Sequence, residues 1–418
     1  MKHFKLAMLS TVAAVSFSSV AFADGHAGCD IAAGKVNIIG NEFPAIQTLG
    51  KGAMSCASDT VEVKTNLTKE HKTIQVPGMT GNPAEYTAAI ISNSSITPLM
   101  NDNLIRPLDD MIAEFAPDLP ATQKITLDGK VMAVAFMANA QHMVYRKDVL
   151  EAAGLEAPKS YEDVLANAKV LRDTGAMQNP IGGAFSAGWG LGQEFNNMFI
   201  GHGGSFFKAG TAEPNVNNEM GIATLNMMKA MTEYMNPDFL ALNNNEISAE
   251  WKAGNVAMMN MWGSRTPALL DPEGSVEGVA ENTALTGPMM VGDSGVPATT
   301  LWWDGWSIAA NISDEDAEAS FKAMMKAIDP SILEQDGVAG QAVWLLEGYE
   351  PTATSSGVLE TVKAGTTPYP TLPFVSLMHT ALGAELPDFM QGKESAEQAL
   401  ADVEAAYTTA AKEAGFLQ

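Results

Sequence analysis

Positive charge is what this chain has least of. Its 418 residues carry 24 Lys and Arg against 49 Asp and Glu, a net charge of −25. Nucleic acids and anionic lipid surfaces select the opposite sign, so neither is expected as a partner. Cysteine is nearly absent: Cys29 and Cys56 are the only two. Two thiols alone make no metal site. In an oxidising compartment an even count suggests a Cys29–Cys56 disulfide, with two buried free thiols as the alternative. The six histidines are scattered, with neither H-E-x-x-H nor i, i+4 pairing, and no metal is expected. Catalytic signatures are missing too. No G-x-S-x-G elbow occurs, and Gly292-Asp-Ser-Gly-Val296 fails at its last position. No G-x-x-x-x-G-K-[ST] loop occurs either, which excludes ATP hydrolysis by this chain itself. Gly188-Trp-Gly-Leu-Gly192 has the wrong spacing for a dinucleotide fingerprint. Neither a cofactor nor an enzymatic activity is expected.

Long apolar runs are lacking as well. Leu6 to Val20 is too short and interrupted for a membrane span. With Lys2 and Lys5 before it and Ala21-Phe22-Ala23 after it, residues 1–23 read as a cleavable secretory signal. A periplasmic mature chain beginning near Asp24 is the expectation.

The rest is 46% apolar and 17% charged across the whole chain, a composition of well-filled cores. Its length exceeds what one core supports, so two lobes are expected. Gly34–Gly40, Val61–Thr65, Tyr86–Ile91 and Val131–Phe136 read as strands ending in small polar residues: Asn41-Glu42, Ser92-Asn-Ser94-Ser95 and Met137-Ala-Asn139-Ala-Gln141. In open α/β sheets ligands bind off the carboxyl ends of strands. Ser160 with Asp163 forms a capping-box pair opening a helix, and Gly154 and Gly415 read as helix stops. The aromatic content is uneven. Trp302-Trp303-Asp304-Gly-Trp306-Ser places three of seven tryptophans within five residues.

Several stretches, taken in order, resemble the sugar-binding proteins of ABC importers, the group containing maltose-binding protein. Tyr145-Arg-Lys-Asp-Val-Leu-Glu-Ala-Ala-Gly154 with Pro158-Lys-Ser-Tyr-Glu-Asp-Val-Leu165 is similar to that group's Y-N-K-D…G…P-x-T-W-x-E-L signature. Gly201-His-Gly-Gly-Ser-Phe-Phe207, Trp251-Lys-Ala-Gly-Asn-Val-Ala-Met-Met259, Trp262-Gly-Ser264, Gly287-Pro-Met and the Trp302–Ser307 segment follow with matching order. Arg146 and Asp304 depart from the pattern. The resemblance implies an α/β, two-lobe periplasmic binding protein fold with a three-segment hinge and an interlobe cleft. It places lobe one at 24–140 and 264–345 and lobe two at 141–263 and 346–418. It also implies a sugar ligand, ABC permease subunits as partners, and a monomer.

Sugar rings have flat C–H faces that aromatic rings cover, while short polar side chains bond the hydroxyls. Trp189, Trp262, Trp302, Trp303 and Trp306 are therefore candidate stacking residues, with Tyr369 held in Pro-Tyr-Pro. Because strand side chains alternate, Trp302 and Trp303 cannot both face one ligand. Asn41, Glu42, Ser94, Ser95, Asn139, Gln141 and Asp304 are candidate hydroxyl partners. Arg265 could fork onto an anionic group or two sugar hydroxyls, or form a salt bridge within a lobe. The alternative functions are a receptor for a polyamine or organic anion, and an exported polysaccharide-acting enzyme.

Overall fold

The computed structural model describes residues 29–418, so the signal-peptide reading over 1–23 lies outside the described residues. The strands are β1 (Gly34–Gly40), β2 (Val61–Leu67), β3 (Ala88–Ser92), β4 (Lys124–Leu127), β5 (Lys130–Arg146), β6 (Ile181–Gly182), β7 (Met258–Trp262), β8 (Thr283–Leu285), β9 (Leu301–Ile308) and β10 (Val343–Trp344). Their order across the sheet is β2-β1-β3-β9-β5-β7-β6.

β1 is built from β-branched, buried residues; its two neighbours, β2 and β3, run parallel to it. That arrangement needs a helix at each crossover. Pro44–Met54 and His71–Thr80 supply them. All three parallel strands therefore send their carboxyl ends to the same edge of the lobe. β9 adds antiparallel to β3, which brings Asp304 beside Ser92 at that edge.

β5 organises the whole molecule. It pairs with β9 as far as Ala140 and with β7 from Gln141 onward, so one 17-residue strand passes from the first sheet into the second. The sequence reading ended this strand at Phe136 and treated 137–141 as a loop. The error came from Asn139 and Gln141, which break the apolar pattern. Inside the fold both are satisfied: Asn139 Nδ2 donates to Ser264 Oγ at 3.1 Å, and Gln141 Nε2 donates to Glu194 at 2.6 Å.

The second-lobe boundary at 263 also needs correction. β8 pairs with β5 at Val144–Arg146, inside the second sheet, and Leu269, Met289, Val291 and Ala298 sit in the second-lobe core. The chain returns to the first lobe only around Thr299–Leu301, where β9 begins. After β10, Trp344 and Leu346 still belong to the first core, and Tyr369 and Val375 to the second. The start of lobe two at 346 was thus set slightly early.

Each lobe has its own core. The first packs Ile38, Phe136, Trp306 and Phe321; the second packs Tyr161, Phe195, Phe199, Trp251 and Tyr407. Local signals hold at the ends of helices. Ser160 Oγ accepts from Asp163 N and the Asp163 carboxylate accepts from Ser160 N, capping Tyr161–Asp173.

Cys29 and Cys56 form a disulfide 27 residues apart in sequence, joining the first described residue to the end of the first helix. Replacing both by serine is expected to cost roughly 3 kcal/mol in the loop-entropy account, read as a lower denaturant midpoint with solute binding unchanged.

Candidate functional site

Three indoles meet where the two lobes face each other. Trp189 opens the second-lobe helix Trp189–Gly201; Trp262 ends β7; Trp302 is the second residue of β9. Trp189 and Trp262 are stacked with centroids 6.2 Å apart. Trp302 meets both edge-on, at 5.8 Å and 5.5 Å. Tyr369 backs Trp302 at 4.2 Å, and its hydroxyl is 2.9 Å from His379 Nδ1. Trp189 comes straight after Gly188, whose φ of 90° is open to glycine but strained for other residues. Trp189 is the first residue of its helix.

These rings wall a cavity of 480 Å³ lined from both lobes. Seven of the residues singled out from sequence line it: Asn41, Asn139, Trp189, Trp262, Arg265, Trp302 and Asp304. The others do not. Trp306 is a correction: alternation places it on the same face as Trp302 and Asp304, but farther along β9. There Phe321 covers it at 5.3 Å and it is fully buried in the first core. Trp303 points to the opposite face and packs against a separate first-lobe cluster that includes Ile39, Met79 and Ile91. Tyr369 is second to Trp302, not a wall. Ser95 caps the helix Asn93–Asn101 by accepting from Ser92 N at 2.9 Å. Ser94 Oγ accepts from Lys72 Nζ at 3.3 Å. Gln141 lies in the hinge, and Glu42 sits at the mouth, accepting from Asn245 Nδ2 at 3.3 Å.

Sequence reasoning missed Lys72, Glu70, Ser92, Asn243, Asn244, Asn245 and Ser264, all of which line the cavity. Two signals were available. Thr68-Lys-Glu-His-Lys72 follows β2 at the same edge as Asn41, and Asn243-Asn-Asn245 is a run of three amides opening a helix.

Lys72 decides the electrostatics. It belongs to the first lobe, yet its ammonium lies 3.5 Å from the centroid of Trp189 in the second. Cation–π attraction at such a desolvated place is worth about 2 kcal/mol. Burial pushes the Lys72 ammonium well below its ordinary range, opposed by the charge of Asp304. Burial likewise pushes the Asp304 carboxyl up, opposed by Lys72. Arg265 is engaged as well: Nη1 donates to Asn245 Oδ1 at 2.8 Å, while burial lowers the guanidinium and Glu42 opposes that shift. Each buried cation thus has a carboxylate of this chain as counter-charge.

A larger groove, of 1540 Å³, lies between loop 203–214 and the C-terminal residues 416–418. Its walls come from the second lobe and its connections, with no side chain of the first lobe, so hinge bending would not close it.

Two α/β lobes on a shared strand, with an aromatic cavity between them, define a two-lobe solute-binding protein. The chain belongs to the bacterial extracellular solute-binding protein family, whose model matches residues 73–325. A probable ABC transporter-binding protein of Deinococcus radiodurans is 26% identical over 211 residues, 48% of each chain. The match thus spans about half the length of that curated relative. Among solved structures, an ABC transporter solute-binding protein of Agrobacterium radiobacter K84 in complex with ribitol has a TM-score of 0.78 at 20% identity, covering 90% of this chain and 98% of its own. One from Agrobacterium vitis S4 with D-mannitol scores 0.77 at 19%, covering 92% and 100%. Maltose-bound MalE3 of T. maritima scores 0.75 at 15%, covering 90% and 100%. At these identities the likeness is one of fold.

Proposed function

We propose that this protein captures a neutral polyhydroxylated solute, a sugar or polyol, in the periplasm and hands it to the permease of an ABC importer. It acts as a monomer, and binding involves no bond-making. One observation carries the reading: indole faces from both lobes share a cavity with short amides and hydroxyls. Rings cover C–H faces, and Asn41, Asn139, Asn243, Ser92 and Ser264 suit hydroxyl partners. A solute touching both lobes favours the conformer in which they meet, which is all that capture requires.

The charge pairing supports a neutral guest. An organic anion needs an uncommitted cation, but Lys72 feels the charge of Asp304, and Arg265 donates to Asn245 and feels the charge of Glu42. A polyamine needs carboxylates in excess, and Asp304 is already offset. Ribitol, D-mannitol and maltose in the fold relatives are in keeping with this class.

A thermal-shift panel of neutral, acidic and basic solutes tests the reading. Stabilisation by a neutral sugar or polyol, recovered unchanged afterwards, is expected; turnover of the solute would favour the enzyme alternative. Salt gives a second check. Affinity for a neutral solute should stay within about twofold between 50 and 500 mM NaCl, because no net charge is neutralised on binding. A tenfold loss over that range would instead mark an ionic guest.

A further inference from the structure

Both faces of the Trp189 indole are already taken by side chains of this protein. On one side the His379 imidazole lies nearly parallel to it, with 18° between the planes and 4.9 Å between centroids. His379 is fixed in that place: Nε2 is 2.9 Å from the Trp189 carbonyl oxygen and Nδ1 is 2.9 Å from the Tyr369 hydroxyl. The Lys72 ammonium stands 3.5 Å from the same indole's centroid. A stacked imidazole leaves no room on its own side for an ammonium at contact distance, so Lys72 covers the opposite face. No slot exists between Trp189 and Trp262 either. A sugar ring held between two aromatic faces needs two contact distances, about 7–8 Å in all. The Trp189 and Trp262 centroids are 6.2 Å apart.

Lys72 is held where it is by the first lobe. Its Nζ donates to Ser94 Oγ at 3.3 Å, it feels the charge of Asp304, and it lies 6.0 Å from the Trp302 centroid. Ser94 is on the helix Asn93–Asn101 and Asp304 on β9, whereas Trp189 opens a second-lobe helix. The Lys72 side chain is therefore a strut from one lobe to an indole of the other. The lobes also touch directly beyond it: Asn101 Nδ2, at the end of the helix that carries Ser94, donates to the Pro373 carbonyl at 2.8 Å. What remains for stacking is the corner between Trp262 and Trp302, whose planes meet at 86° with centroids 5.5 Å apart. Tyr369 backs Trp302 at 4.2 Å. Two perpendicular walls receive one ring or one folded chain. A second sugar ring in series would need a further face, and the indole that adjoins both walls is Trp189.

We propose that Lys72 is a specificity-determining residue: by occupying the free face of Trp189 it ends the row of stacking surfaces and limits the site to a single sugar ring or an open-chain polyol, excluding oligosaccharides. This inference rests on the sugar-or-polyol reading and narrows it.

Lys72→Ala and Lys72→Met test it as a pair. Both remove the charge, but the methionine variant keeps an unbranched chain over the indole. D-mannitol and maltose are titrated calorimetrically into the wild type and both variants. The wild type should bind D-mannitol at least about tenfold tighter than maltose, a difference of about 1.4 kcal/mol. The ratio of maltose to D-mannitol affinity should rise about tenfold in Lys72→Ala and stay within about threefold of wild type in Lys72→Met. Using the ratio cancels any hydroxyl contact that both variants lose. Equal wild-type affinity for the two solutes, or the same ratio in Lys72→Ala as in Lys72→Met, would overturn the proposal.

A second readout needs no solute. Acrylamide quenching of tryptophan fluorescence compares K72A/D304N with K72M/D304N, neither of which leaves a buried carboxylate unpaired. K72A/D304N should show one more accessible indole, and adding Trp189→Phe should remove that increase. Equal quenching in the two double variants would mean that Lys72 does not cover Trp189, and the proposal would fall. Failure of the wild type to bind either solute, with Trp189 uncovered in K72A/D304N alone, would support Lys72 as the cover of Trp189 and count against the hydroxylated-solute reading.

Discussion

Trp302→Ala is expected to weaken solute binding at least a hundredfold, which corresponds to about 2.7 kcal/mol. Trp302 is the one ring that touches all the others: it meets Trp189, Trp262 and Tyr369. Buried aromatic anchors of this kind carry most of the energy at a recognition site. Truncating it also opens a void, and large-to-small changes of buried tryptophan cost about 3–5 kcal/mol of stability. Trp302→Phe separates the two effects. It keeps an aromatic face and most of the volume but loses the hydrogen bond to Thr300. It is expected to remain folded, with affinity reduced by about tenfold, the worth of one hydrogen bond. Calorimetric titration alongside circular dichroism reads both. A Trp302→Ala protein that folds and binds like wild type would remove the aromatic box from the mechanism.

The double variant K72M/D304N is expected to be more stable than wild type by about 1–4 kcal/mol and to have lost solute binding. Buried ion pairs are expensive, and replacing both partners by neutral groups of similar shape is commonly neutral or stabilising. Both shifts act in this direction. Asp304 is raised above its ordinary 3.8, so its cost to the folded state appears as pH rises past 3.8 and is complete above the folded value. Lys72 is lowered below its ordinary 10.5, so its cost appears as pH falls from 10.5 and is complete below the folded value. The gain from removing both therefore peaks near neutrality. It shrinks toward pH 4, where Asp304 is protonated in the unfolded chain too, and toward pH 10.5, where Lys72 is neutral there. Urea unfolding at pH 4.5, 7 and 9.5 checks the shape. Under the proposed function, a cation and a carboxylate lining the cavity would offer a solute's hydroxyls both a donor and an acceptor.

How much of this was legible beforehand depends on what each residue's fate rests on. β1 was read to its exact ends, because buried β-branched residues between two glycines depend only on local pattern. The capping box at Ser160 was read correctly for the same reason. The alternation argument that Trp302 and Trp303 face opposite ways also needed nothing beyond the strand period. It could not say that Trp306 lies too far along β9 to reach the cleft, because that depends on where the helix Asp314–Ala327 sits. In the sequence Asn139 and Gln141 read as the end of a strand, because polar residues inside one make sense only once their partners, Ser264 and Glu194, are known; these lie 125 and 53 residues away. Lys72 was invisible for a related reason. Beside Lys69 and Glu70 it looks like a solvated helix start, and its burial is completed by Trp189 from the other lobe.

The central claim is that a hydroxylated guest sits between the lobes against the three indoles. A crystal structure with the neutral solute that stabilises the protein most tests it directly. The account predicts density for the guest within van der Waals contact of Trp262 and Trp302, with Asp304 or Lys72 bonded to its hydroxyls. A guest found instead in the groove beside Phe207 and Phe416, with the space between the indoles unchanged, would contradict it.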